Sequence, residues 1–292
     1  MTTGRMSVRW RDDALPLALL GPAVLYLLLL IVLPMVQALV LAFQGDDGTF
    51  TLEHLRRMTG DVAFRDAIRN TLVLLILIVP AQIVLALVMA LLVHSRIRGH
   101  EWFLYVYAIP LAISDLAAGI LWLSVFTQNG YLNTVLQALG IIKEPIVYLS
   151  YENIAMVIGA IVIAESWRAT ALVLVILVAG LQLIPRDYFE AADLFGASRL
   201  RRTVHVVIPL LRPSLQSALI IRTIFAFTTF AAVFALAGRN LPVVAGEAYN
   251  WSVVARDPHV AAAYALVLLA LAGAMTMVYL RVLGTSETQR AR

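Results

Sequence analysis

Asn70–Val93 reads NTLVLLILIVPAQIVLALVMALLV, 24 residues without a charge. A bilayer core of about 30 Å is crossed by about 20 helical residues rising about 1.5 Å each. The stretch is apolar on every side, so it lacks the alternation of a membrane barrel strand. It reads as a membrane-spanning helix. Five more windows of the same kind flank it. Ala14–Gly45 has no charge in 32 positions, and Pro258–Leu280 has none in 23. Trp102–Ile142 contains only Asp115, Asn153–Pro185 only Glu165 and Arg168, and Thr203–Gly238 only Arg212 and Arg222. Six spans are predicted, at about 14–43, 70–93, 102–126, 154–183, 207–237 and 259–281, within one all-α membrane domain over residues 1–292.

The bulk composition agrees with lipid as the main solvent. Of 292 residues, 61% are hydrophobic and 14% charged, against about 25% charged in ordinary soluble domains. The mean hydropathy is +0.87. A soluble fold of this size could not hide so much apolar surface. That excludes an ordinary soluble enzyme, a disordered chain and a nucleic-acid-binding domain. With no cysteine, disulfides, thiolate metal sites and a Cys nucleophile are excluded too. The five His residues are scattered and show no metal-ligand spacing. No Gly-x-Ser-x-Gly and no phosphate-cradling Gly-rich loop is present. The chain is therefore expected to have no catalytic residue, no metal and no cofactor of its own. The first span is also too long for a cleavable signal peptide.

Orientation follows from Arg and Lys. With the N-terminus inside, the inside segments hold Arg5, Arg9, Arg11, Arg96, Arg98, Arg186, Arg199, Arg201, Arg202, Arg212, Arg281, Arg290 and Arg292. The outside segments hold Arg56, Arg57, Arg65, Arg69, Lys143, Arg239 and Arg256. The bias puts both termini in the cytoplasm. The outside loops, about 44–69, 127–153 and 238–258, are long.

The inside loop at about 184–206 differs from the others. Pro185 suits a helix start, and Asp187 and Glu190 suit its first turns. Tyr188, Ala191, Ala192 and Phe195 fall at i, i+3, i+4 and i+7 and form one apolar stripe. Gly196 can end the helix in a left-handed conformation. Periodicity alone leaves two readings open: a helix lying on the membrane surface, or one that docks a partner.

The same stretch resembles a known family. Glu190-Ala191-Ala192, then Gly196, then Val206-Val207-Ile208-Pro209 match the hallmark of the inner-membrane permeases of binding-protein-dependent ABC importers. Phe64–Thr71, Ile109–Ser114 with Trp122, Gly130–Asn133, Glu165–Arg168 and Ala179–Gln182 resemble the permeases for maltose, trehalose and glycerol phosphate. The likeness runs from about residue 15 to 283. It implies a type I importer permease fold with a cytoplasmic coupling helix, in a bacterial inner membrane. It implies that Glu190 anchors to an ATPase, that Ala191 and Ala192 allow close approach, and that Gly196 makes the turn, with Pro209 closing the motif. Phe195 stands where the family often has Asp. After span five, Ala237–Pro242 departs from the family's Thr-x-Gly-Gly-Pro. The implied partners are a second homologous permease, two copies of a cytoplasmic ATPase that bind ATP and Mg, and an extracytoplasmic sugar-binding protein. The implied cargo is a di- or oligosaccharide, with a non-sugar solute such as glycerol phosphate or a polyamine as the alternative.

Asp115, Glu165, Arg168 and Arg222 should lie near one depth in the membrane. An unpaired charge there costs on the order of 3 kcal/mol. Two acids and two bases can pair, and Glu165 and Arg168 are i, i+3 on one helix. One reading is a polar translocation path, with Trp122 and Trp167 stacking on sugar rings. The other is a structural network that holds helices together. The repeated halves and broken midplane helices of a secondary transporter are not read from the sequence.

Overall fold

The computed structural model describes residues 19–45, 47–95 and 99–283, without the side chains of His100 and Glu101. The first residues of span one and seven of the Arg that set the orientation (Arg5, Arg9, Arg11, Arg96, Arg98, Arg290 and Arg292) lie outside the described residues. Helix α1 runs Leu19–Leu41 with one wider π-type turn at Leu28–Val32. Leu19, Tyr26, Leu30 and Ile31 are each more than half exposed, which only lipid or another protein can accommodate. A turn and the short helix α2, Glu53–Gly60, lead to α3, Phe64–His94. α3 is one long rod that carries Pro80 inside it.

The predicted third span is not a single helix. α4, His100–Ala108, continues as a tighter turn at Ile109–Ala112 and stops. α5, Asp115–Phe126, restarts at 101° to it. The break has a local cause. Ser114 is extended (φ −63°, ψ 153°), and its Oγ accepts from Ala117 N at 3.3 Å, a side-chain N-cap. Asp115 then sits in the first helical turn, where the helix dipole favours an acid. α6, Tyr131–Ala138, follows on the loop side. α7, Ile154–Gln182, is the second long rod and packs along α3.

α8, Arg186–Leu194, is the short helix of the Glu190 loop. The predicted fifth span is also broken. α9, Arg199–Leu210, meets α10, Arg212–Phe227, at 72°. Pro209 and Pro213 flank the corner at Leu211, and a proline removes the backbone donor a continuous helix would need. A second interruption at Thr228–Phe230 precedes α11, Ala231–Ala237. α12, Val244–Tyr249, and a π-type turn at Asn250–Val254 lead to α13, Pro258–Val282. Among the described residues, four helices are long and apolar enough to span a membrane, and the two bent pairs raise that to as many as six.

Small residues set the closest approaches. A Cβ on Gly180 of α7 would meet Ser214 Cβ of α10 at 2.6 Å, and one on Gly119 of α5 would meet Ala235 Cβ of α11 at 2.7 Å. Helices in lipid associate by such packing, since burial from water gives them no advantage there. Two apolar layers result. One joins Leu74 and Ile78 of α3 to Ile161 and Ala164 of α7 and to Val233 of α11. The other joins Ala86 and Ala90 of α3 to Val173 and Leu177 of α7 and to Leu211 and Ala218.

Candidate functional site

Between those two layers lies a polar one. Gln82 is on α3, Glu165 and Arg168 are on α7, Arg222 is on α10, and Asp115 begins α5. Arg222 and Glu165 are each 1% exposed, and their charged groups meet at 2.9 Å. Gln82 knits the pair to the fold: its Oε1 accepts from Arg222 Nε in a short bond, and its Nε2 donates to the Glu165 carbonyl at 2.8 Å. Arg168 reaches Glu165 at 3.5 Å and Asp115 at 2.7 Å. The four charges predicted to share one depth therefore form one chain of contacts, Asp115–Arg168–Glu165–Arg222. In a low-dielectric layer an unpaired member would be costly, and every member is paired.

The chain of contacts is graded from inside to outside. Arg222 and Glu165 are sealed, the Arg168 side chain is 15% exposed, and that of Asp115 is 48% exposed. Beside the open end, the Trp122 and Trp167 rings meet edge to face at 5.8 Å, and Trp122 stacks on Phe126 at 5.3 Å. Arg168 Nε, Trp122 Nε1 and the Ser166 hydroxyl are buried with no hydrogen-bond partner among the described residues. Two of these are donors only, so the patch is short of acceptors. Gln82 and Ser166 were not singled out in the sequence. Both are uncharged polar residues within apolar runs, which is too weak a signal to single them out.

The Glu190 loop forms the short helix α8 that its sequence pattern predicts. The Pro185 start holds, and Gly196 takes φ +68°. Most of the apolar stripe faces outward, as both open readings of it require. Phe189 and Ala192 face the body, while Tyr188, Ala191, Glu190, Phe195 and Gly196 are exposed. Phe195 is 91% and Leu194 88% exposed. Phe189 lies under the Arg202 guanidinium at 5.8 Å and against the His94 ring at 5.0 Å. Arg202 Nη1 also holds both oxygens of Asp193, at 2.8 and 3.0 Å. The helix is thus fixed to the end of α3 and to the start of α9, and presents an apolar end outward. Pro209 is exposed two residues before the α9–α10 corner at Leu211.

Residues 65–285 match the family of binding-protein-dependent transport system inner membrane components. The chain belongs to this family. Among its relatives, the xylose/arabinose import permease of Haloferax volcanii is 36% identical over 68% of this chain and 61% of its own length. The sulfoquinovosyl glycerol permease of Agrobacterium fabrum is 31% identical over 96% of this chain and 94% of its own. A bacterial alginate ABC transporter, solved with an alginate pentasaccharide-bound periplasmic protein, shares the fold at TM-score 0.79 and 20% identity, covering 97% of this chain and 99% of that one.

On the face of this permease opposite α8, the loops are tied together by polar contacts. Asp61 Oδ2 accepts from Trp251 Nε1 at 2.8 Å and from Tyr264 Oη at 2.9 Å. Burial alone would raise the Asp61 carboxyl, but the bonds from Ala63 N, Trp251 and Tyr264 and the charge of Arg239 hold it below its ordinary value. Glu247 goes the other way: burial first, then the charge of Asp61, push its carboxyl up. The His residues that looked scattered include one close pair, since the His54 and His259 rings stack at 4.7 Å. A sequence separation of two hundred positions hides such a pair.

Proposed function

We propose that this permease forms one wall of the translocation path of a sugar importer, with the open end of the Asp115–Arg168–Glu165–Arg222 chain touching the cargo. The observation that carries this reading is the graded exposure of that chain beside two aromatic rings. A buried network that only held helices together would have no need to end at a half-exposed acid beside two aromatic rings. Sugar hydroxyls can donate to the half-exposed Asp115 carboxylate, and a Trp face suits the apolar face of a pyranose ring. The relatives named for xylose, arabinose and sulfoquinovosyl glycerol support a carbohydrate cargo. Asp115 opens onto the surface of this chain rather than into an enclosed cavity, which fits a path completed by a second permease.

The energy enters at the other end. The exposed apolar end of α8 fits the groove of a cytoplasmic ATPase, two copies of which bind ATP and Mg and carry out hydrolysis. This puts α8 and both termini in the cytoplasm and the Asp61–Trp251 face outside, where a binding protein delivers the sugar. The test is Arg168→Ala in the assembled importer. The expected result is loss of sugar uptake with assembly and ATP hydrolysis retained. If assembly fails instead, the chain of charges is structural. If ATP hydrolysis answers only to binding protein loaded with a phosphate ester or a polyamine, the carbohydrate reading fails.

A further inference from the structure

The face opposite α8 carries a second set of converging polar groups. A cleft of about 230 Å³ opens between the end of α2 and α12, walled by Asp61, Arg239, Glu247, Asn250 and Trp251. Asp61 is already occupied, since it accepts from Ala63 N, Trp251 Nε1 and Tyr264 Oη. Glu247 is not. It is 6% exposed, and among the described residues its carboxylate accepts one hydrogen bond, a 3.3 Å contact from Asn250 Nδ2 to Oε1. Arg239 is exposed and makes no ion pair or hydrogen bond among the described residues. The unspent groups are therefore acceptors on Glu247 and Asn250 and donors on Arg239.

That set selects a ligand by charge and by size. Asp61 and Glu247 oppose an anion, and Arg239 opposes a cation. Neighbouring hydroxyls on a neutral ring both donate and accept, which meets all three residues at once. Pockets for drug-sized ligands measure about 300–1,000 Å³, so this smaller cleft has room for one ring and not for a chain of them. Burial and the nearby Asp61 charge raise the Glu247 carboxyl, which eases its place in a site for an uncharged guest.

We propose that this cleft is a second binding site, taking a single neutral sugar ring where cargo arrives, with Glu247, Asn250 and Arg239 as its hydrogen-bonding residues. It rests on the reading of this face as extracytoplasmic and of the cargo as a sugar, and it is distinct from the Arg168 patch. The experiment uses the importer in lipid nanodiscs without binding protein, probed by saturation-transfer NMR with D-xylose and D-glucose, and with D-glucuronate and D-glucosamine for comparison. Saturable millimolar binding of the neutral pair is expected, at least about tenfold weaker for the charged pair. Glu247→Ala and Asn250→Ala should each weaken it about tenfold, while Glu247→Gln, which keeps an acceptor, retains most of it. Arg168→Ala should leave it intact. Absence of neutral-sugar binding overturns the proposal, as does binding unchanged in Asn250→Ala and Glu247→Ala, or binding removed by Arg168→Ala. If Arg168→Ala keeps both uptake and cleft binding, the pore reading fails and the cleft stands.

Discussion

Arg222 is the residue on which the interior depends most. It is fully buried, it neutralises Glu165, and it is oriented by Gln82. Removing one partner of a buried pair leaves an uncompensated charge and costs about 3–5 kcal/mol. Arg222→Ala should therefore lower the thermal unfolding midpoint of the purified importer sharply, and the Arg222→Met, Glu165→Gln double variant should recover much of the loss. If the single variant melts like the parent, the pair carries no stability. At the outer loops the same logic becomes a pH dependence. Glu247 has a raised carboxyl, so its folded form holds a proton more tightly than its unfolded form. Its contribution is complete below the ordinary carboxylate value and is lost as pH rises through its raised value. Asp61 is lowered, so its contribution is present above the ordinary value and lost as pH falls through the lowered one. Glu247→Gln should flatten the decline that begins just above the ordinary carboxylate value, and Asp61→Asn the decline below it. Melting curves across pH check both, and an unchanged profile in Glu247→Gln would falsify the assignment.

At the scale of elements, close helix contact and helix breaks decide the shape. Gly180 lets α7 touch α10, because a Cβ there would sit 2.2 Å from Ser214 Oγ and 2.9 Å from Leu211 Cδ1. Overpacking of this kind costs about 1–3 kcal/mol. Gly180→Ala should reduce assembly yield and melting temperature, and adding Ser214→Gly should restore part of both. A second substitution that restores nothing would mean the contact is not the cause. Ser114→Ala removes the α5 cap and should cost about 1 kcal/mol, with Ser114→Thr close to neutral. The elements were unevenly legible in the sequence. α3 and α13 announce themselves through long uncharged runs and α7 through a long apolar run with only two charges, since only length and polarity are needed to recognise them. The corner at Ser114 was hidden within an equally apolar run, because hydropathy does not distinguish a straight rod from two bent ones. The cue was the Ser114-Asp115 pair, a helix-start signature that also fits a continuous span. Pro209 and Pro213 gave a similar cue at Leu211, and membrane helices tolerate proline too often for it to decide the matter.

Across the whole molecule, the two functional ends are joined by one rod. The charges of the polar layer were readable as a set that must pair, because their cost in lipid leaves no other choice. Which ones are sealed and which are open was not readable, since that depends on how α3, α5, α7 and α10 meet. Gln82 escaped notice for the same reason: an uncharged amide in an apolar run carries no penalty large enough to demand a partner. Its position is nonetheless what connects the ends. Phe189 of α8 presses on the His94 ring at the last residue of α3, and Gln82 lies twelve positions back along the same helix. At about 1.5 Å per residue that is about 18 Å of continuous backbone, which cannot shorten to absorb a push. Movement of α8 would then reach the Arg222–Glu165 pair as a displacement of Gln82. Coupling of this kind needs an element with two positions that both ends bias, and α3 offers a direct route between them. Phe189→Ala removes the ring that bears on His94 without touching the outward-facing Glu190, Leu194 or Phe195. ATP hydrolysis should continue in the assembled importer while sugar uptake per ATP falls several-fold. Phe189→Tyr, which keeps a ring there, should behave like the parent. If Phe189→Ala lowers hydrolysis and uptake in equal proportion, α8 acts only as a dock and the rod carries no signal.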